Sequence, residues 1–419
     1  MYYLLSFLFM LISSKGSFFS FFDIDFLLID ILFIWIGLAY NRFTRSDIRL
    51  FIRFCLIYLA FVSLRYFCLN HVSANFYISD LTFLIKYILL AFLYCAVLKE
   101  EALNYIVKIT VIGAGISLFF YTLQLINSNL VFSIGDMIHL PPKTLDSNYT
   151  NFVIFTFDKN HKIRNSGFTW EPGAFGCFLN LGLLLYLFTK RFILDKKVLL
   201  LVLAIITTLS TTSYIALLIN LLIYYRANGG KLSKILLIAV PLTAMIAIKV
   251  PFLFGKIVDL YNQDLNDMDH METLDTFYLK HGGQLPLNRF GSVLYLYRLF
   301  GEKLIWGISN IYPETTPQLG NVNVSNGIID YMAKFGLIGL LFFLYKYVLL
   351  FKKLATQNEL VVYAVSVILI LAFGEPILIW QNILAFFFLY HYIHPVDPEG
   401  EKPFDETAAG PLIPAQLSN

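Results

Sequence analysis

The chain has 419 residues, of which 58% are hydrophobic, 17% aromatic and only 14% charged, and its mean hydropathy is +0.70. An average soluble domain carries roughly 25% charged residues, so water is not the main solvent here, and the length suits a bundle of about ten to twelve membrane spans with loops. A net charge of +3 leaves no electrostatic footprint for a nucleic-acid partner.

The chain opens with MYYLLSFLFMLI, which has neither a charged leader nor a small-residue cleavage site and reads as a retained first span. Further apolar runs follow at roughly 24–40, 50–68, 80–98, 104–126, 170–189, 198–210, 212–225, 233–253, 329–350, 359–373 and 376–393. Arg42, Arg45, Arg49 and Arg53 mark one cytoplasmic loop, Lys190, Arg191, Lys196 and Lys197 a second, and Arg226, Lys231 and Lys234 a third. Positive flanks on both sides of 198–225 exclude a single crossing. The segment is therefore expected to be a broken hairpin of two short helices turning at the polar run 207–213, buried in protein or facing a wet cavity.

With that hairpin, Lys346, Lys352 and Lys353 also fall inside. The expected fold is all-α: a polytopic transmembrane helix bundle over 1–394, with about twelve segments and both termini cytoplasmic. Two long, partly helical extracytoplasmic loops, about 127–168 and 254–328, lie together on the outer side, and loops of that length usually carry function. The acidic, Pro-rich segment 395–419 reads as a disordered cytoplasmic tail. Cys55, Cys68, Cys95 and Cys177 all fall inside apolar runs without metal-ligand spacing and are expected to be small buried hydrophobes.

The strongest local feature is RNSGFTWEPGAFG, from Arg164 to Gly176, where the first long loop enters an apolar helix. Pro172 suits the first turn of that helix, which puts Glu171 at an N-terminus where the dipole favours an anion. One reading makes Glu171 a cap and Trp170 an interfacial anchor. The other makes Glu171 a general base at the water boundary, taking a proton from a hydroxyl.

In the second loop, NRFGSVLYLYRLFG carries Arg289 and Arg298, whose spacing puts them on different sides of a regular helix. Each arginine suits a pyrophosphate, a solvated loop or a lipid headgroup. His270 and His281 have no companion at ligand spacing, so neither a metal nor a cofactor is expected. Further on, SNGIIDYMAKFGLIG places Asn326 and Asp330 on one helix face, and FGEPILIWQN puts Glu375 and Gln381 between the last two apolar runs. Glu375 reads as a capped break towards an outer cavity or as a lining residue of the site. Asp25, Asp30 and Arg65 are charges in or near spans, for which pairing is the expected explanation.

WEPGAFG, the hairpin LSTTSYIALL, NRFGS, GISN and SNGIIDYMAKFGLIG, in that order from Arg164 to the last span, resemble the Wzy-type polymerases of O-antigen and capsular polysaccharide, within the O-antigen ligase/polymerase superfamily. The resemblance implies transfer of a growing glycan from undecaprenyl diphosphate to another lipid-linked repeat unit, on the outer face of a bacterial cytoplasmic membrane. The related ligase transfers finished polymer to lipid A core and often has a His before the late Asn, where this chain has Ser325 before Asn326. The spacings from Arg164 to Gly176 and from Arg289 to Gly301 are one residue longer than the Arg-x10-Gly pattern described for some polymerases.

On this reading Glu171 and Arg289 are catalytic, and Arg164, Trp170, Arg298, Asn326, Asp330 and Glu375 bind substrate. The reaction would be inverting and metal-independent, with lipid-linked oligosaccharides, membrane lipids and a chain-length regulator protein as partners. A lipid-linked glycan transporter is the alternative from another class, suited by the broken hairpin but lacking detectable paired halves.

Overall fold

The computed structural model describes residues 1–14, 25–68, 74–138, 149–159, 162–229, 258–259, 261–263, 266, 270, 285–312 and 322–395. The run expected at 233–253, His281 and the tail after Pro395 lie outside the described residues.

The described residues form mostly helix: α1 (Tyr2–Ser13), α2 (Asp25–Ala39), α3 (Arg45–Cys68), α4 (Ala74–Leu98), α5 (Glu101–Ile126), α6 (Ser128–Ile138), α7 (Pro172–Thr189), α8 (Lys196–Thr207), α9 (Thr211–Ala227), α10 (Arg289–Phe300), α11 (Gly327–Leu354) and α12 (Asn358–Gly374). Five of these, α3, α4, α5, α7 and α11, are long and apolar enough to cross a membrane. α4 contains a π-helical turn at Leu84–Leu89. The expected last span, 376–393, is instead broken into a 3-10 turn at Ile377–Ile379 and short helices at Gln381–Leu384 and Phe386–Tyr392. Two small strand pairs are present among the described residues: Tyr149–Asn151 runs antiparallel to Thr156–Asp158, and Leu285–Leu287 runs parallel to Val322–Val324, which ties two parts of the second loop together.

α7 is the central helix. Its apolar window is 94% buried, against 22% for α3, so α7 is wrapped by protein while α3 presents Ile52, Leu56, Ile57 and Leu64 outwards. Apolar association is weak inside a lipid solvent, and close backbone packing takes its place. A Cβ on Gly176 would fall 1.9 Å from the Ser213 hydroxyl, so only glycine lets α7 meet α9 there. The polar turn between α8 and α9 is a tight reversal with Leu209 at φ 50°. Asn228, after α9, donates to the carbonyl of Phe192, before α8, at 3.4 Å, so the segment returns to the end of the bundle where it began. Both of its helices are capped by side chains: Asp195 accepts from the amides of Lys197 and Val198, and Ser210 from that of Ser213.

α11 is interrupted at Gly336, whose φ of 73° is left-handed. The backbone of Gly307 fills the gap, and a Cβ on Gly336 would lie 2.4 Å from the Ile305 carbonyl oxygen. The interruption frees carbonyls that an intact helix would satisfy. Ala333 accepts from the Ile308 amide at 2.6 Å, and Lys334 from Arg65 Nη1 at 2.5 Å. Arg65 in turn pairs with Asp80 of α4, so its expected pairing is met, and Asp80 also takes the Asn310 amide at 3.0 Å. Asp30 is not paired: it is buried and neither carboxyl oxygen has a hydrogen-bond partner. The cysteines divide, with Cys95 and Cys177 buried as expected, but Cys55 half-buried and Cys68 exposed where α3 ends.

Candidate functional site

One end of the bundle gathers the start of α7, the turn between α8 and α9, the starts of α10 and α11, and the end of α12. Each junction is locally determined. Pro172 opens α7 directly after Glu171. Asn326 caps α11, its Oδ1 accepting from the amides of Ile328 and Ile329, while its Nδ2 donates to the Arg289 carbonyl at 3.2 Å and so anchors the start of α10. Gly374 ends α12, and Glu375 follows in extended backbone before Pro376.

Four ionisable side chains converge there. Glu171 has the N-cap position of α7, yet its side chain makes no capping hydrogen bond. It lies against the Glu375 carboxyl, and two carboxyl groups held this close favour a proton on one of them. Both reach the same spot: a Cβ on Gly173 would lie 2.5 Å from Glu375 Oε1 and 3.6 Å from Glu171 Oε1. Burial, then the Glu171 carboxylate beside it, pushes Glu375 well above the usual carboxyl range, and Arg289 and Arg164 only partly oppose this.

Arg289 donates through Nε to the Gly374 carbonyl at 3.1 Å and holds Nη2 3.7 Å from Glu375 Oε1. Arg164 is fixed by its Nε on the Thr208 carbonyl at 3.1 Å, at the C-terminal end of α8 where carbonyls are unsatisfied. Its own carbonyl accepts from Gln124 Nε2. Burial lowers the Arg164 pKa, while Glu171, Tyr214 and Glu375 raise it and Arg289 lowers it further, so all four face the same guanidinium. Two guanidiniums thus face two carboxyls, one of which burial disfavours as an anion, next to several helix N-termini, an arrangement that suits an added anion.

The sequence-derived residues divide on this geometry. Arg164, Glu171, Arg289 and Glu375 come together, and Asn326 positions Arg289. Trp170 is half-buried with its ring edge-on to Trp380 at 5.7 Å, and Trp380 stacks on Phe178 at 4.6 Å. Asp330 is engaged elsewhere, accepting from Tyr312 at 2.9 Å and Lys334 at 2.8 Å. Arg298 is exposed near the far end of α10 and pairs with no described carboxylate. Sequence reasoning missed the Glu171–Glu375 pairing, although Gly173 was legible as a point of close approach. It also missed Tyr214, whose one signal was its place just after the polar turn. Among the described residues no three His, Cys, Asp or Glu side chains group as metal ligands would.

An apolar cavity of about 460 Å³ opens on the flank between α3 and α11, lined among others by Phe54, Tyr58, Leu64, Trp306, Phe335 and Phe387. Compared with protein-family models, with characterised proteins and with solved structures, the chain matches none.

Proposed function

We propose that this chain is a membrane glycosyltransferase of the polysaccharide-polymerase type, with about twelve membrane segments and its site on the outer face of a bacterial cytoplasmic membrane. It moves a growing glycan from undecaprenyl diphosphate to the terminal sugar of another lipid-linked repeat unit. The observation that carries this reading is the convergence of Arg164, Glu171, Arg289 and Glu375 from four separate stretches of chain.

The acceptor hydroxyl attacks the anomeric carbon of the donor sugar as the bond to the diphosphate oxygen breaks. The hydroxyl proton passes to Glu171, and the electron pair leaves on the diphosphate. Arg164 and Arg289 meet the charge that develops there, which is the main catalytic requirement when the leaving group is already activated. Glu375, kept protonated, orients the Glu171 carboxylate through a hydrogen bond. A single displacement inverts the anomeric centre, and no metal is needed for any of these steps. The apolar flank cavity offers a hydrocarbon-compatible surface for a polyprenyl tail.

The test is purified protein in detergent with a lipid-linked repeat unit as both donor and acceptor. Glycans lengthen with no ion gradient and with inversion at the new linkage. Glu171→Gln lowers the rate by about 10²–10⁴-fold, the usual worth of a positioned general base, and leaves the amount of protein in the membrane unchanged. Movement of lipid across vesicles without lengthening would overturn the enzyme reading, and a retained anomeric configuration would overturn the single displacement.

A further inference from the structure

A second cavity, of about 540 Å³, opens between the start of α3 and residues 391–392. It lies at the opposite end of the bundle from Glu171 and Glu375, since α3 starts here, α4 ends here and the last turn of α11 packs here through Lys353 on the Tyr390 and Ile393 carbonyls. Its lining includes Arg49, Arg53, Lys99 and His391 but a single carboxylate, Asp47.

Asp47 has nothing left to offer the arginines. It accepts from the Thr44 amide and hydroxyl, both at 2.7 Å, and from the Tyr392 hydroxyl at 2.8 Å, and it pairs with Lys99. Arg49 and Arg53, one turn apart on α3, are exposed and pair with no described carboxylate. Lys346 and Lys353 face His391 from behind and add to the same field. The cavity thus holds unbalanced positive charge, and two guanidinium forks a turn apart match the oxygens of a phosphate.

A second observation indicates what carries that phosphate. Ile48, Ile52 and Leu56 repeat at every fourth residue of the same helix and are 52%, 51% and 61% exposed. They form an apolar stripe that begins beside the arginines and runs along the outside of the bundle. A free anion has no use for such a stripe, whereas an amphiphile with a phosphate head and acyl chains matches both parts.

We infer that this cavity binds the phosphate headgroup of an anionic membrane lipid, with Arg49 and Arg53 on the phosphate and an acyl chain along Ile52 and Leu56. The site is distinct from the carboxyl–arginine cluster and stands whether or not the glycosyltransferase reading does.

Native mass spectrometry of the full chain with phosphatidylglycerol and phosphatidylcholine of equal acyl length tests it. The parent prefers phosphatidylglycerol, and the double variant Arg49→Gln/Arg53→Gln loses roughly thirtyfold of that preference, the combined effect of two arginines at a lipid surface. Arg45→Gln, which removes a cation of the same helix outside the cavity lining, retains it. The lysine double variant Arg49→Lys/Arg53→Lys keeps part of the preference and covers the case in which the glutamine variant fails to fold. Equal losses in Arg45→Gln and the double variant, or no loss in either double variant, would overturn the site. Displacement of the lipid by millimolar inorganic phosphate would reassign it to a free anion.

Discussion

Among the described residues, the arginine–carboxyl clusters around Asp80 and Glu375 are built to opposite specifications. Around Asp80 every group is matched: Arg65 bridges the Asp80 carboxylate and the Lys334 carbonyl, the Asn310 amide and Ser309 hydroxyl close on the other oxygen, and the Tyr58 hydroxyl donates to the Asp80 carbonyl at 2.8 Å. Around Glu375 the matching is incomplete. Arg289 stands 3.7 Å away and is 39% exposed, two carboxyls lie against each other, and Arg164 spends one donor on a backbone carbonyl. A saturated cluster holds helices in place, while an unsaturated one beside solvent keeps capacity for a ligand.

The widest separation between the two is expected in stability. Asp80→Asn leaves Arg65 buried without its counter-ion and should cost about 3–5 kcal/mol, seen as loss of folded protein in thermal unfolding in detergent. Glu171→Gln should leave that unfolding almost unchanged. An equal loss in both variants would erase the distinction.

A smaller effect is expected in the pH dependence. Because the folded-state pKa of Glu375 is raised, both folded and unfolded chains carry its proton below the ordinary carboxyl value of about 4.3. As pH rises past that value, the unfolded chain releases the proton while the folded one retains it. Stability therefore falls, by at most about 1.4 kcal/mol per pH unit, until the raised pKa is passed. Glu375→Gln should remove this slope, measured as the unfolding midpoint between pH 4 and 8; an unchanged slope would place the proton elsewhere.

The smallest effect belongs to Arg298. Arg298→Ala should leave stability almost unchanged and change the proposed glycan synthesis by no more than about twofold to threefold, as for an exposed residue away from any network. A loss as large as that of Arg289→Ala would bring the far end of α10 back into the site.

The helices were legible in the sequence because their signals are local. Apolar runs and Pro172 at a first turn each act within a few residues, as do the caps Asp195, Ser210 and Asn326 that the structure adds. Positive flanks gave the reversal between α8 and α9, which the Asn228 to Phe192 hydrogen bond displays. Individual site residues were legible as polar groups stranded at the ends of apolar runs. Their partnerships were not, because Glu171 and Glu375, like Arg65 and Lys334, are joined only by the packing of distant segments. The π turn in α4 and the interruption at Gly336 were also hidden, since an apolar run reads the same whether or not its hydrogen-bond ladder is regular.

The complete wrapping of α7 has a consequence for how the chain is made. Near its middle, Asn180 donates to the Ser213 carbonyl at 3.1 Å and receives Asn220 at 3.2 Å, so its amide is satisfied by the hairpin that is synthesised after it. An amide facing lipid alone is costly. The central helix and the α8–α9 hairpin therefore share buried amide hydrogen bonds and are expected to insert as one unit.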